Sequence, residues 1–222
     1  MAKFADLYRT INLPSCGFRQ AKKLEDVLGD WCSSAEECVA IIITDQTRPL
    51  DPIPALEALN TRLRGRTSVI IGLGLHRQMN AEELEGLEQF SPIQHCPEQV
   101  SDLVLSSGEV VQIASVVQEA DWSISVGVAE LHQYAGISGG YKGVTIGCGS
   151  RDLIGSLHSR EVVCHSSVQL GSLESNIFRE KIDLIGSHTT CAFALNFIPA
   201  TGDWLFGIPD LVTRQARKLL NP

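Results

Sequence analysis

Runs of β-branched residues that alternate with helical patterns place the strongest constraint on the fold of this chain. The run VAIII at residues 39–43 predicts a buried strand, and TSVIIGL at residues 67–73 predicts a second strand. Residues 51–64, between these runs, carry a helical pattern with prolines near its start. Because strands and helices alternate along the chain, the sequence predicts an α/β fold with a mostly parallel sheet.

The rest of the chain continues this alternation. It predicts an acidic helix over residues 80–89, strands over 110–115, 122–126 and 191–198, and a C-terminal helix over 210–220. Asn80 is the expected N-cap of the acidic helix, because Glu83 follows three residues later. The expected fold class is therefore α/β, with a Rossmann-like, mostly parallel sheet flanked by helices.

Composition narrows the class of protein. The 222 residues carry a net charge of −8, which argues against a broad nucleic-acid-binding face, since neutralising phosphates needs clustered Lys and Arg. The N-terminal residues contain no apolar signal region, and no stretch approaches the roughly 20 apolar residues of a membrane span. The seven cysteines are scattered without a CxxC pair, a pattern that favours reduced thiols. We therefore expect a cytoplasmic protein that binds neither nucleic acid nor membrane.

One segment, from Glu130 to His158, contains most of the residues suited to chemistry. Its first such residue is His132, and it continues with a glycine-rich turn, a lysine and a second histidine. The turn contains Gly136, Ser138, Gly139 and Gly140, the lysine is Lys142 and the second histidine is His158. Glycines let a backbone approach a ligand closely. A lysine can bind an anion or form a covalent bond, and histidines act as bases or metal ligands. The segment is therefore a candidate active site; the alternative is an ordinary glycine turn with a solvated lysine and two structural histidines.

Three polar residues follow predicted strands: Arg48, His76 and His132. Ligands gather at the carboxyl ends of parallel strands, so we expect these side chains to converge there. Arg48 is suited to hold a carboxylate or phosphate through two parallel hydrogen bonds; the alternative is a structural arginine that pairs with Asp45 or caps carbonyls. His76 is either a functional group at a strand end or a hydrogen-bonded structural residue.

The sequence excludes a P-loop and a dinucleotide-binding fingerprint, but it does not exclude a metal site. Lys142 is followed by Gly143 where a P-loop needs Ser or Thr, and Gly72 and Gly74 lack the third glycine of the dinucleotide fingerprint. Irregular spacing argues against a zinc site, although a soft metal with fewer protein ligands is compatible with the set Cys148, His158, Cys164 and His165.

Four motifs follow one another in an order typical of one family. They are DQTRP at residues 45–49, GLHR at 74–77, ELHQYAGISGGYK at 130–142 followed by His158, and GSLESN at 171–176. In this order they resemble the N-terminal domain of the nickel-dependent lactate racemase family. The resemblance implies a racemase or epimerase that inverts a lactate-like 2-hydroxy acid.

The resemblance also implies a cofactor and a role for each motif residue. The cofactor is a nickel-pincer nucleotide, nickel pyridinium-3,5-bisthiocarboxylic acid mononucleotide, attached covalently to Lys142 with its nickel bound by His158. His76 and His132 would be the acid/base residues of a reversible hydride transfer, and Arg48 would orient the substrate carboxylate. Further cofactor contacts would come from Asp45, Thr47, Ser138, Gly139 and Gly140.

The chain departs from the family pattern in its length and at single positions. Residues 1–222 are expected to form one domain of this type, without the C-terminal domain that closes over the site in the family. A separate lid subunit or a homo-oligomer would then cover the cleft. Leu75 and Gln78 replace the family's Thr and Pro, and Tyr141 replaces its frequent Arg. The alternative is a non-catalytic relative that binds a nucleotide or a carboxylate, or a subunit that needs a partner.

Overall fold

A seven-stranded sheet forms the centre of the computed structural model, which describes residues 7–8, 13–32 and 37–220. Numbered in chain order, its strands are β1 (Phe18–Ala21), β2 (Cys38–Ile43), β3 (Arg66–Ile71), β4 (Ile93–Gln94), β7 (Trp122–Val128), β10 (Cys191–Ile198) and β11 (Asp203–Gly207). The other strands form two small antiparallel pairs, β5 (Val100–Val104) with β6 (Val110–Ala114), and β8 (Leu131–His132) with β9 (Gly136–Ile137).

Short helices connect the strands. Those with defined bounds in the described ranges are α1 (Leu24–Leu28), α2 (Ile53–Asn60), α3 (Ser115–Gln118), α4 (Lys142–Thr145), α5 (Arg151–Leu157), α6 (Arg160–Val163), α7 (Ile177–His188) and α8 (Pro209–Leu220), and a 3-10 turn lies at Glu88–Phe90. Within the part of the chain that the structure describes, no helix is long and apolar enough to cross a membrane.

The central sheet is mostly parallel, which confirms the predicted fold class. The strand order is β1-β11-β10-β7-β2-β3-β4. Strands β10, β7, β2, β3 and β4 are parallel, while β11 and β1 add an antiparallel edge. In register, Ile41 lies opposite Val69 of one neighbouring strand and Ile124 of the other. Because parallel strands end at the same edge, the segments after β2, β3 and β7 meet there.

Apolar clusters cover both faces of the sheet and fix its strands. On one face the rings of Trp122 and Phe193 meet edge to face, with 5.5 Å between their centroids. Such a pair stabilises the fold by about 0.5–1.5 kcal/mol beyond its buried area. On the other face Ile42, Tyr141 and Phe178 belong to a second cluster that packs α4 and α7 against the sheet. The strand ends therefore project from a platform packed on both sides.

Most of the predicted elements are present. Strand β10 has the predicted bounds, and β2, β3, β7 and α8 lie within two residues of theirs. Helix α2 is shorter than the predicted range 51–64. It begins at Ile53 and ends at Asn60, with Thr61 as its C-cap. The strand predicted over 110–115 exists as β6, but it pairs with β5 in a separate hairpin outside the main sheet.

The predicted helix over residues 80–89 is wrong. The reciprocal capping bonds do form, since the Glu83 amide donates to Asn80 Oδ1 at 3.0 Å and the Asn80 amide donates to Glu83 Oε2 at 2.8 Å. The segment nevertheless continues as turns and ends in the 3-10 turn, because Gly86 adopts a left-handed conformation with φ of +81°. A left-handed residue cannot continue a right-handed helix.

Asn176 joins the start of α7 to the turn after β8, a link that the predicted elements do not include. Its side-chain oxygen accepts hydrogen bonds from the amides of Phe178 and Arg179, both at 3.1 Å. Its amide nitrogen donates to the carbonyls of Tyr134 at 2.9 Å and Ser172 at 3.0 Å. Asn176 is fully buried, so water cannot replace these bonds.

Replacement of Asn176 by Ala is expected to lower the free energy of unfolding by about 2–4 kcal/mol, because a helix cap is lost and buried polar groups lose their partners. Asn80→Ala is the matched control, since Asn80 makes the same kind of capping bond at an exposed position. This control should lose about 1 kcal/mol or less. Urea denaturation of both variants measures the difference, and equal losses would contradict the role assigned to Asn176.

Candidate active site

A cleft of about 450 Å³ opens at the carboxyl ends of β2, β3 and β7. Eight of the residues predicted for the site line it: Asp45, Arg48, His76, His132, Ser138, Gly139, Lys142 and His158. The other two predicted residues, Thr47 and Gly140, are not part of its lining. The sheet therefore brings together residues from three separate motifs.

The loop after β3 reaches the cleft through a close approach of two backbones. The Gly74 amide donates to the Gly147 carbonyl at 2.9 Å. A methyl group at Gly72 would lie 3.2 Å from the Gly147 α-carbon, and Gly74 adopts a left-handed φ of +59°. Side chains at these glycines would push the two loops apart. The glycines thus place His76 on the same cleft as Lys142.

Two polar side chains hold the glycine-rich turn against the ends of β7 and β10. The Ser138 hydroxyl donates to the Val128 carbonyl at 2.8 Å and accepts from the Glu130 amide at 3.0 Å. Asn196 of β10 accepts from the Gly140 amide at 2.9 Å. Gly140 therefore faces the protein interior, which explains its position outside the cleft lining.

Lys142 begins α4 and points its amine into this cleft without an ion-pair partner among the described residues. Burial lowers the pKa of the amine to about 8, and the positive charges of Arg48 and Arg179 act in the same direction. Glu130 and Asp45 oppose the shift. The amine is therefore partly uncharged, and nucleophilic, near neutral pH.

His76 is held by a buried carboxylate. Its Nδ1 lies 2.6 Å from Asp45 Oδ2, and the exposed fraction is 56% for the His76 side chain and 5% for that of Asp45. The other carboxylate oxygen accepts from the Thr47 amide at 3.1 Å and from the Thr47 hydroxyl at 2.5 Å. Burial acts to raise the pKa of Asp45, but the hydrogen bonds from Thr47 and His76 outweigh it and lower the pKa below its ordinary value.

His132 has the opposite kind of partner. Its Nδ1 accepts hydrogen bonds from the backbone amides of Tyr134 at 3.2 Å and Ala135 at 3.1 Å. Burial lowers the pKa of the ring to about 3, with further contributions from the positive charges of Lys142 and Arg48. His132 is therefore a neutral ring at physiological pH.

His158 presents one free nitrogen at the cleft. Its Nδ1 lies 2.9 Å from the Ile154 carbonyl, which only accepts, so the proton of the neutral ring resides on Nδ1. Phe178 packs edge to face on the ring, with 5.0 Å between centroids, and Tyr134 does so at 5.9 Å. The remaining nitrogen, Nε2, keeps its lone pair and can bind a metal.

Arg48 pairs with Glu130 and not with the side chain of Asp45. Its Nη1 donates to Glu130 Oε1 at 2.9 Å, and both side chains are about 30% exposed, at 30% and 32%. The sequence motifs predict no role for Glu130 or Arg179. Asn196 is different, because a polar asparagine inside the apolar run 191–198 indicates a buried side chain with a specific partner.

The geometry limits how a metal ion could be bound at the cleft. Among the residues that the structure describes, no three His, Cys, Asp or Glu side chains are grouped to hold a metal ion. Any metal bound by His158 would therefore need further donors from a ligand or cofactor.

Comparisons with known proteins agree on one family. A family model described as the lactate racemase N-terminal domain matches residues 22–171. The lactate racemase of Lactiplantibacillus plantarum is 30% identical over 175 residues, which cover 72% of this chain and 41% of the relative. The lactate racemase of Thermoanaerobacterium thermosaccharolyticum is 26% identical over 192 residues, covering 80% and 44%. The chain thus spans about half the length of the curated relatives it matches.

Solved structures share the fold. The lactate racemase apoprotein from T. thermosaccharolyticum has a TM-score of 0.77 with 24% identity, and the match covers 96% of this chain and 54% of that one. A crystal structure of a Thermotoga maritima protein has a TM-score of 0.64 with 19% identity, covering 89% and 56%. At these identities the similarity establishes the fold.

The lowered pKa of Lys142 predicts its reactivity. Trace labelling with acetic anhydride across pH 6–11, followed by peptide mass spectrometry, should give a midpoint near pH 8 for Lys142. Lys181, exposed on α7, is labelled in the same reaction and serves as an internal control for reagent decay. A Lys142 midpoint near 10.5, the ordinary value, would contradict the burial and charge effects described above.

The neutral His132 ring predicts a pH dependence of stability. The folded ring takes up its proton near pH 3, while the unfolded side chain does so near its ordinary pKa of 6.5. Between these values the unfolded chain binds more protons, so stability should fall as the pH is lowered from 6.5 toward 3. Denaturation at pH 7 and pH 5 should show a smaller loss for His132→Asn than for the parent, because Asn keeps an acceptor for the amides. An equal loss in both proteins would refute the shift.

Proposed function

The chain belongs to the lactate racemase N-terminal domain family, and from this membership we propose that it carries the racemase site for a lactate-like 2-hydroxy acid. The observation that carries the proposal is the gathering of His76, His132, Lys142 and His158 on one cleft. Two imidazoles, a reactive amine and a free metal-binding nitrogen together suit an enzyme better than a simple binding site.

The residues present fit a lysine-tethered nickel-pincer nucleotide. Lys142 would form the covalent link through an amine that is partly uncharged near pH 8. His158 would bind nickel through Nε2, since its Nδ1 proton is engaged by Ile154. Nitrogen and sulfur donors suit nickel, and the cofactor would add the donors that the protein cluster lacks. Gly139 and Gly143 line the cleft beside Lys142, and because they have no side chains they leave room for the cofactor.

The remaining residues would bind the substrate and handle its hydroxyl proton. Arg48 would bind the carboxylate, with Glu130 holding its guanidinium in place. His76 and His132 would act at the hydroxyl group. When bound, the cofactor supplies a hydride acceptor, so that the substrate passes through a planar 2-keto acid and can be reduced from either face.

A cover for the cleft is also part of the proposal. Leu75 and His76 are exposed at its edge, although water at this position would weaken electrostatic interactions in the site. Since the chain spans about half the length of its curated relatives, we propose that a further domain, a separate subunit or a second copy closes over this edge.

Cofactor attachment tests the proposal. The protein is co-expressed with enzymes that make the cofactor, and intact mass and nickel content are measured. We expect an adduct on Lys142 and about one nickel per chain. Lys142→Ala should lose the adduct, while Lys181→Ala, the same change on the exposed face of α7, should keep it.

Nickel binding has its own matched pair. His158→Ala should keep the adduct but retain at least about tenfold less nickel after dialysis, in line with the loss of a metal ligand. His165→Ala, an exposed histidine a few residues away, should retain nickel like the parent. Folded protein with no adduct would remove the proposed function and favour a non-catalytic relative that binds a nucleotide or a carboxylate.

A further inference from the structure

A second cavity, of about 610 Å³, lies between α7 and the start of α8, and we call it the α7–α8 cavity. Among the residues that the structure describes, it shares no lining residue with the active-site cleft. Tyr141 lines the α7–α8 cavity, whereas Lys142, the next residue, lines the cleft. Helix α4 thus begins between two separate cavities, and the proposed function uses only the cleft.

Carboxylates outnumber cationic groups in the lining of the α7–α8 cavity. The lining contains four carboxylates and two guanidinium groups, those of Glu174, Glu180, Asp183, Asp210, Arg179 and Arg214. Asp183 pairs with the buried Arg179, and Asp210 Oδ1 accepts from Arg214 Nε at 3.0 Å. Each guanidinium group is therefore matched by a carboxylate, and two glutamates leave the lining with an excess of negative charge. This excess favours a cationic ligand.

Glu180 provides a carboxylate that a ligand can reach. It is exposed and has no ion-pair partner in the described part of the chain. Since Glu180 and Asp183 are three residues apart on α7, they lie on the same face of the helix. Glu174, across the cavity, lies 3.8 Å from Arg217. A cation that enters the cavity therefore meets Glu180 without breaking an ion pair.

Tyr141 adds a buried hydroxyl group that has no partner within the described ranges. The residue is only 4% exposed, and its hydroxyl group makes no hydrogen bond to a described residue although it lies at the cavity. Burial raises the pKa of Tyr141, so the hydroxyl group keeps its proton. The ring packs against Gly186 of α7, where a side chain would collide with it, and so it cannot turn away. A buried hydroxyl group without a partner costs free energy, which a ligand with a polar group would recover.

The rest of the lining is apolar and excludes a bare metal ion as the ligand. Leu173, Leu184 and Ile208 line the cavity, and Leu184 is 49% exposed. No three His, Cys, Asp or Glu side chains of the described residues are grouped to hold a metal ion. An organic cation would instead cover the apolar side chains with its own apolar part.

We propose that the α7–α8 cavity binds a small organic amine with an apolar body. The ammonium group lies between Glu180 and Asp183 and donates a hydrogen bond to the hydroxyl oxygen of Tyr141. The apolar body lies against Leu173 and Leu184. An ordinary alkylamine has a pKa near that of lysine, about 10.4, and is charged at neutral pH. The proposal does not depend on the racemase function, because it involves no residue of the cleft.

NMR titration with 2-phenylethylamine tests the proposal. The full chain is labelled with ¹⁵N and titrated at pH 7, without cofactor or substrate. We expect saturable shifts of the backbone amides of Tyr141 and of residues 180–187, with a Kd of about 1–10 mM for so small a ligand. The control is 3-phenylpropionate, which has the same apolar body and the opposite charge and should give no saturable shift there. Equal binding of the two compounds, or no saturable shift with the amine, would overturn the proposal.

A charge change at Glu180 tests the position of the ammonium group. Glu180→Gln should raise the Kd of 2-phenylethylamine by about two- to fivefold, the usual range for a solvent-exposed ion pair. Glu57→Gln is the matched control, because Glu57 is an exposed glutamate on α2, outside the lining of the cavity. It should bind the amine like the parent. The same Kd in both variants would contradict the position given to the ammonium group.

Removal of the Tyr141 hydroxyl group separates ligand binding from folding. Tyr141→Phe keeps the ring against Gly186, and it should raise the Kd of 2-phenylethylamine by about two- to tenfold through the loss of one hydrogen bond. Without ligand, its free energy of unfolding should equal or exceed that of the parent, because the hydroxyl group has no described partner to lose. A less stable variant that binds the amine like the parent would show that the hydroxyl group serves the fold, and would overturn its role in the site.

Discussion

The anchoring of the glycine-rich turn by Ser138 and Asn196 is the constraint on which the rest of the site depends. Ser138 ties the turn to the end of β7 at Val128, and Asn196 ties it to β10 at Gly140. Both side chains are buried, so their hydrogen bonds have no competition from water. Because His132 precedes the turn and Lys142 follows it, these two bonds set the positions of both residues relative to the sheet.

Ion pairs hold the positive charges around the glycine-rich turn. The chain has a net charge of −8, and Arg48, Lys142 and the buried Arg179 lie around this turn. Arg179 is held by Asp183 behind the turn, and Arg48 is held by Glu130 at its edge. Burial, together with the positive charges of Arg48 and Arg179, keeps the amine of Lys142 partly uncharged.

Local sequence patterns predicted the parts of the molecule in which local preference and packing agree. The β-branched runs became β2 and β3, and the polar residues after them converged because parallel strands share one edge. The helix predicted over residues 80–89 does not form, because Gly86 takes a left-handed conformation despite a complete capping box. The antiparallel edge formed by β11 and β1 joins segments nearly 190 residues apart, such as Phe18 and Gly207, and no local pattern contains that pairing.

The candidate site also combines features that the local sequence predicts with features that depend on the folded chain. Residue types and their order predicted eight residues of the cleft lining, since the chemistry of histidine and lysine can be read from the sequence. The unequal partners of His76 and His132 could not be predicted, because a backbone amide such as that of Ala135 has no residue-specific signal. The carboxylate partner of His76 and the amide partners of His132 are set by the backbone path around each ring.

We propose that this cleft interconverts the enantiomers of a 2-hydroxy acid by moving hydride at C2. The most direct measurement follows L-[2-²H]lactate with the cofactor-loaded protein by chiral chromatography and mass spectrometry. The proposed function predicts that D-lactate forms and retains deuterium at C2, because the hydride would be removed and returned without exchange with water. Formation of D-lactate with loss of deuterium to solvent, or no D-lactate from protein that carries the adduct and nickel, would contradict it.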